Sequence, residues 1–190
     1  MTPQGIAATA ACPHSRETTV MTALPESLEH QNPITIGILS DTHGWVPPTV
    51  ATTFAGVDVI VHAGDVDEPS VLVQLRRIAP VVGVKGNMDH GPWSDDLPPA
   101  ALMTLGGKTF YVLHNLNLLD LLPEAAGIHV VVSGHTHAPA MLRKRGVLYL
   151  NPGSASFPRH GSAAGGLRVS IDGDRINAQA VTFTDNGDPS

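Results

Sequence analysis

The chain has 190 residues, enough for one domain with its own core and short for two. Hydrophobic residues make up 42% and mean hydropathy is +0.07, which excludes a disordered chain, and no apolar run approaches the roughly 18–20 residues of a membrane span. With 11 basic against 17 acidic residues and a net charge of −6, neither duplex nucleic acid nor an anionic membrane is an expected partner.

Residues 1–33 carry no sustained helical or strand period and are expected to form a disordered tail. They lack the basic-then-apolar pattern of a secretory signal, so a cytoplasmic location is expected. From Ile34 short β-branched runs become regular: Ile34–Leu39, Val57–His62, Val81–Val84, Thr109–Leu113 and His129–Val132. Such nearly continuous apolar runs suit strands buried on both faces of a parallel or mixed sheet. Helices are expected over Pro48–Phe54, Glu68–Ile78 and Leu116–Glu124. After residue 138 strands joined by turns follow at Met141–Leu142, Val147–Leu150, Gly166–Ile171 and Ile176–Thr184, with Asp172-Gly173-Asp174 as a hairpin turn. The expectation is one α/β domain over 34–184, two stacked mixed β-sheets flanked by helices, then a C-terminal tail over 185–190.

Five successive strand-like runs end in residues that bind metals: Asp41 and His43, Asp65, Asn87, His114, and His135 with His137. Active sites of open α/β sheets form beyond the carboxyl ends of the strands. One such residue alone is most often a capping or loop residue; five strand ends in a row point elsewhere. Two carboxylates, four imidazoles and one amide carbonyl are too many donors for one tetrahedral zinc, and divided over two ions they leave positions open for water and substrate. The single cysteine, Cys12, excludes a cysteine-based zinc site. Mixed oxygen and nitrogen donors without thiolate suit Mn²⁺, Zn²⁺, Fe or Ni²⁺.

These residues carry a resemblance. Asp41-x-His43, Gly64-Asp65, Gly86-Asn87-x-Asp89, His114 and Gly134-His135-Thr136-His137 resemble the calcineurin-like metallophosphoesterase superfamily. The GNxD form, Asn151-Pro152-Gly153-Ser154 and Pro158-Arg159 are similar to its small YfcE-type phosphodiesterases. The resemblance implies a metallophosphoesterase-type sandwich holding two divalent ions, Mn²⁺ foremost. One ion would take Asp41, His43 and His137, the other Asn87, His114 and His135, with Asp65 bridging. It implies phosphodiester hydrolysis by a hydroxide held between the metals at Asp65, with Asn87 assisting. The alternatives are a phosphomonoesterase or nuclease on the same site, or a silent protein-binding scaffold.

Departures and unabsorbed residues remain. Met88 stands where larger relatives carry a histidine able to protonate a leaving group, so Asp89 and His90 are candidate substrate contacts beside a loop-ordering role. Arg159 is a candidate phosphate contact. His62 is expected to be a buried, hydrogen-bonded neighbour of the site, and Arg143-Lys144-Arg145 a solvated hairpin tip. The expected substrate is a small phosphodiester, and a homo-oligomer remains open.

Overall fold

A computed structural model describes residues 24–159 and 161–183. Residues 1–23 of the tail expected over 1–33, the tail expected over 185–190 and Thr184 of the expected domain lie outside the described residues. Two five-stranded sheets stack face to face. The first has the order β10-β9-β1-β2-β3, built from β1 (Ile34–Leu39), β2 (Val59–His62), β3 (Val81–Gly83), β9 (Gly165–Asp172) and β10 (Arg175–Thr182). In it β1, β2 and β3 run parallel, and the β9–β10 hairpin closes the other edge antiparallel. The second has the order β4-β5-β6-β8-β7, from β4 (Ala100–Leu105), β5 (Lys108–Leu113), β6 (Val130–Val132), β7 (Ala140–Lys144) and β8 (Val147–Asn151), with β5, β6 and β8 parallel.

The expected sandwich of two mixed sheets is what the chain forms. Ile36, Ile38, Val59 and Val61 of one sheet meet Phe110, Val112, Val130 and Val132 of the other in one dry layer. Each such side chain, fully buried, contributes about 1.5–3 kcal/mol. The outer face of the first sheet, Leu39 and Ile60, is covered by Phe54 just after α2 (Thr49–Thr53) and by Val71 and Leu75 of α3 (Pro69–Leu75). Among the described residues no such helix covers the outer face of the second sheet, where Leu119, Leu121 and Ile128 pack against Tyr111, Val131 and Tyr149.

Three expectations change. Residues 24–33 belong to the fold rather than to a tail: α1 (Ser27–His30) buries Leu28, and the Gly106 and Gly107 amides donate to the Leu28 and Glu29 carbonyls at 3.0 and 2.7 Å. β4 was not expected, because Ala, Leu and Met favour helices, yet its residues alternate inward and outward as a strand requires. Residues 116–124 form no α-helix beyond a 3-10 turn at Leu116–Leu118, since Leu119 and Leu121 must both reach the second sheet and Pro123 has no amide to donate.

Candidate metal centre

Parallel strands within each sheet bring the carboxyl ends of β1, β2, β3, β5 and β6 to one end of the sandwich. Hydrogen bonds tie the two sheets there. The His114 Nδ1–H donates to the Ala63 carbonyl at 2.8 Å, and the His135 amide donates to Asp41 Oδ2 at 3.1 Å. All seven residues expected as ligands meet at this end. Among the described residues seven non-glycine residues have positive φ, and six of them stand here: Asp41, His43, Asp65, Asp67, His135 and His137, at φ from 45° to 70°. Left-handed backbone costs an ordinary residue of order 1 kcal/mol or more, and its clustering marks a site the surrounding fold holds under constraint.

Asp41, His43 and His137 form one group of close donor atoms, and Asp41, Asp65 and His114 a second. In the first, His43 Nε2 and His137 Nε2 lie 3.2 Å apart, and His137 Nε2 lies 3.3 Å from Asp41 Oδ1. The other nitrogen of each ring is already engaged. The His43 Nδ1–H donates to Asp67 Oδ2 at 2.9 Å and the His137 Nδ1–H to the Phe157 carbonyl at 2.6 Å. With Nδ1 protonated, each neutral ring turns a bare lone pair inward. Two facing lone pairs beside a buried carboxylate oxygen that has no hydrogen-bond partner call for a cation. The donor set therefore fits a divalent metal.

The second group repeats the pattern. His114 spends Nδ1–H on Ala63, and its Nε2 lies 3.3 Å from Asp65 Oδ2 and 3.1 Å from Asn87 Oδ1, which also sits 2.9 Å from His135 Nδ1. Burial pushes the Asp41 carboxyl above its ordinary value, against the lowering pull of the Ser40 hydroxyl and of His114 and His137. Burial opposes ionisation of Asp65 too, but His114, whose Nε2 donates to Asp65 only when the ring carries a second proton, and the Met88 amide outweigh it and hold this carboxyl below the usual range. The carboxylate common to both groups is Asp41, whereas Asp65 stands with His114.

Small residues let these groups approach. A Cβ on Gly86 would sit 2.1 Å from both the amide nitrogen and Oδ1 of Asp65, and one on Gly134 would sit 1.9 Å from Ser40 Oγ. The Asn151–Ser154 turn braces the same loops: Asn151 Nδ2 donates to the Gly134 carbonyl at 2.8 Å and Ser154 Oγ to the Asp41 carbonyl at 2.7 Å.

Asp89 occupies a place other than the substrate contact considered for it. It is 1% exposed, and its carboxylate accepts from three backbone amides, Val66 at 2.8 Å, Asp67 at 2.7 Å and Gly86 at 2.7 Å. It thereby straps the Asp65 loop to the Asn87 loop. His90 is exposed on the same segment, and Arg159 is exposed in an opening shared with His43 and His137. His62 is fully buried: the Gly64 amide donates to its Nδ1 at 3.2 Å, so its Nε2–H faces Thr42 Oγ1 at 3.0 Å, and burial pushes it down to about 3. The basic cluster at 143–145 closes the β7–β8 hairpin, with Arg145 paired to Glu124 at 2.7 Å. Sequence reasoning missed Asp67, whose only sequence signal is the spacing Asp65-x-Asp67.

Residues 34–174 match the model of the calcineurin-like phosphoesterase superfamily domain. The chain belongs to this superfamily. A probable metallophosphoesterase of Methanocaldococcus jannaschii is 37% identical over 137 residues, covering 65% of this chain and 69% of the relative. The phosphodiesterase YfcE of Escherichia coli is 29% identical over 156 residues, 66% of this chain and 81% of the relative. The solved structure of vacuolar protein sorting 29 from Cryptosporidium parvum shares the fold, with a TM-score of 0.69 at 18% identity over 82% of this chain and 94% of that one. No helix of the described residues is long and apolar enough to cross a membrane.

Proposed function

We propose that this metallophosphoesterase is a cytoplasmic phosphodiesterase that works with two divalent ions, Mn²⁺ foremost, on a small phosphodiester. The observation that carries the diester reading is the position of the ligands between two open clefts. One, of about 510 Å³, runs from Asn87, His114 and His135; the other, of about 550 Å³, is bounded by His43, His137 and Arg159. A phosphodiester has one phosphate and two organic arms, and this arrangement leaves room for one arm on each side. The low count of basic side chains agrees, since a singly charged diester asks less positive charge of the protein than a dianionic monoester.

When bound, two divalent cations polarise the phosphate oxygens and lower the pKa of water, which supplies the nucleophile for in-line displacement. Asp41, His43 and His137 would hold one ion and Asn87, His114 and His135 the other; the family resemblance gives the shared place to Asp65, while Asp41 is the carboxylate common to both donor groups here. The chain's remaining task is orientation. Asp67, the Phe157 carbonyl and the Ala63 carbonyl keep the Nδ1 protons of His43, His137 and His114 engaged, so every Nε2 lone pair stays aimed inward. Arg159, which shares an opening with His43 and His137, would pair with a phosphate oxygen.

The scaffold alternative predicts eroded ligands, whereas all seven are present and converge. The test is hydrolysis of bis-p-nitrophenyl phosphate beside p-nitrophenyl phosphate, with Mn²⁺ and then with EDTA, and Asp65→Asn as control. Metal-dependent cleavage that favours the diester and is lost in the variant supports the reading. Preference for the monoester makes the protein a phosphatase, and no turnover with any metal returns the scaffold.

A further inference from the structure

The two clefts differ in chemistry. The cleft beside Asn87, His114 and His135 has an apolar wall of Pro99, Leu113 and Leu118 and carries Lys85, Tyr111 and Asp120. Its volume of about 510 Å³ suits an organic group of moderate size. Tyr111 stands on β5 three positions before His114, about 10 Å back along the strand, and lines the same cleft. Lys85 already faces Asp95 at 3.4 Å, so its charge is partly answered, while Asp120 has no salt-bridge partner among the described residues. Burial first and then the Asp120 charge push the Tyr111 hydroxyl above its ordinary value, so it stays a neutral hydrogen-bonding group and lies within the field of that carboxylate. The opposite cleft is unlike this one, since its charged group is the cation Arg159.

We propose that the cleft along Leu113, Leu118, Tyr111 and Asp120 holds the uncharged arm of the diester, an alcohol of the nucleoside class, and that Tyr111 and Asp120 set specificity by excluding an arm that carries a second anionic group. This rests on the diesterase reading above. The apolar wall covers the flat face of a base. The Tyr111 hydroxyl and the Asp120 carboxylate take the hydroxyl of the sugar as donor and acceptor partners. A phosphate on that hydroxyl meets Asp120 as a like charge, in a half-open cleft where two unit charges several ångströms apart are worth about a factor of ten.

The test compares thymidine 5′-(p-nitrophenyl phosphate) with its 3′-phosphorylated counterpart, using the full chain loaded with Mn²⁺. Wild type is expected to cleave the first with at least tenfold higher kcat/KM. Asp120→Lys should narrow that ratio below threefold by lowering KM for the 3′-phosphorylated probe. Tyr111→Ala should raise KM for the thymidine probe severalfold and leave kcat alone. Equal efficiency on the two probes, a ratio indifferent to Asp120→Lys, or equal KM for methyl p-nitrophenyl phosphate and the thymidine probe overturns the assignment of the cleft. Cleavage of the monoester but of no diester removes the diesterase reading itself, and the cleft assignment with it.

Discussion

The Asp89 strap offers a sharp test of how the centre is held. Asp89→Asn keeps shape and removes charge. Three backbone amides at 2.7–2.8 Å point at the two carboxylate oxygens, and an asparagine has only one oxygen to meet them. The less costly orientation keeps the oxygen towards Val66 and Asp67 and turns the new NH₂ towards the Gly86 amide, donor against donor. One charge-assisted bond is lost, about 1.5–3 kcal/mol, and the two that survive become neutral and weaker. At 1% exposure little water reaches the site to compensate. The expected loss is about 3–5 kcal/mol, a large share of a domain stability of about 5–15 kcal/mol. At about 2–4 °C per kcal/mol for a chain of this size, Tm should fall by about 6–20 °C. Because the strap joins the loops of Asp65 and Asn87, metal affinity should weaken as well. Thermal and urea unfolding of the metal-free protein, followed by Mn²⁺ titration, measure the two effects separately. Stability within 1 kcal/mol of wild type with metal binding intact would refute the strap. Unchanged stability with a raised KM would return Asp89 to the role of substrate contact.

Other perturbations probe the rest of the site. Gly86→Ala forces a Cβ to 2.1 Å from Asp65 Oδ1, so the carboxylate must move: about 1–3 kcal/mol of stability and most of the activity should be lost, read by unfolding and by turnover together. Asp67→Asn removes the carboxylate that orients His43 and should weaken metal affinity about 10–100-fold while the fold persists, as calorimetric titration will show. For His62 the folded value lies near 3, below the ordinary 6.5, so between those values the unfolded chain binds a proton that the native one refuses. Stability should therefore fall as pH drops through that window, by up to about 1.4 kcal/mol per pH unit from this one group, and His62→Gln should flatten the slope in urea titrations at pH 6, 5 and 4. Adding Mn²⁺ at about 100 times its Kd should stabilise the metal-free protein by about 2.7 kcal/mol, a rise of about 5–10 °C in Tm; no shift would contradict a metal site in the native state.

Much of the centre is legible in the sequence. Asp41, Asp65, Asn87, His114 and His135 each follow a short β-branched run within a few residues, and strand pattern and donor type are both local properties of the chain. Their convergence follows from one rule, that parallel strands present their carboxyl ends together. What could not be read locally was everything decided across the sandwich. Ala100–Leu105 is a strand because its alternate side chains fill the layer opposite the first sheet, against the helical preference of Ala, Leu and Met. Leu116–Glu124 is not a helix because Leu119 and Leu121 must both land on the outer face of the second sheet. Residues 24–33 join the fold through Leu28 in the core and through backbone bonds to Gly106 and Gly107, more than seventy positions away. Asp89 reads as a surface acid three residues after a glycine, and only the folded chain shows two of its three amide partners arriving from more than twenty positions upstream. Which nitrogen of His43, His114 and His137 faces the centre was likewise undetermined. A ring offers two nitrogens, and the oxygen that claims one of them comes from another loop.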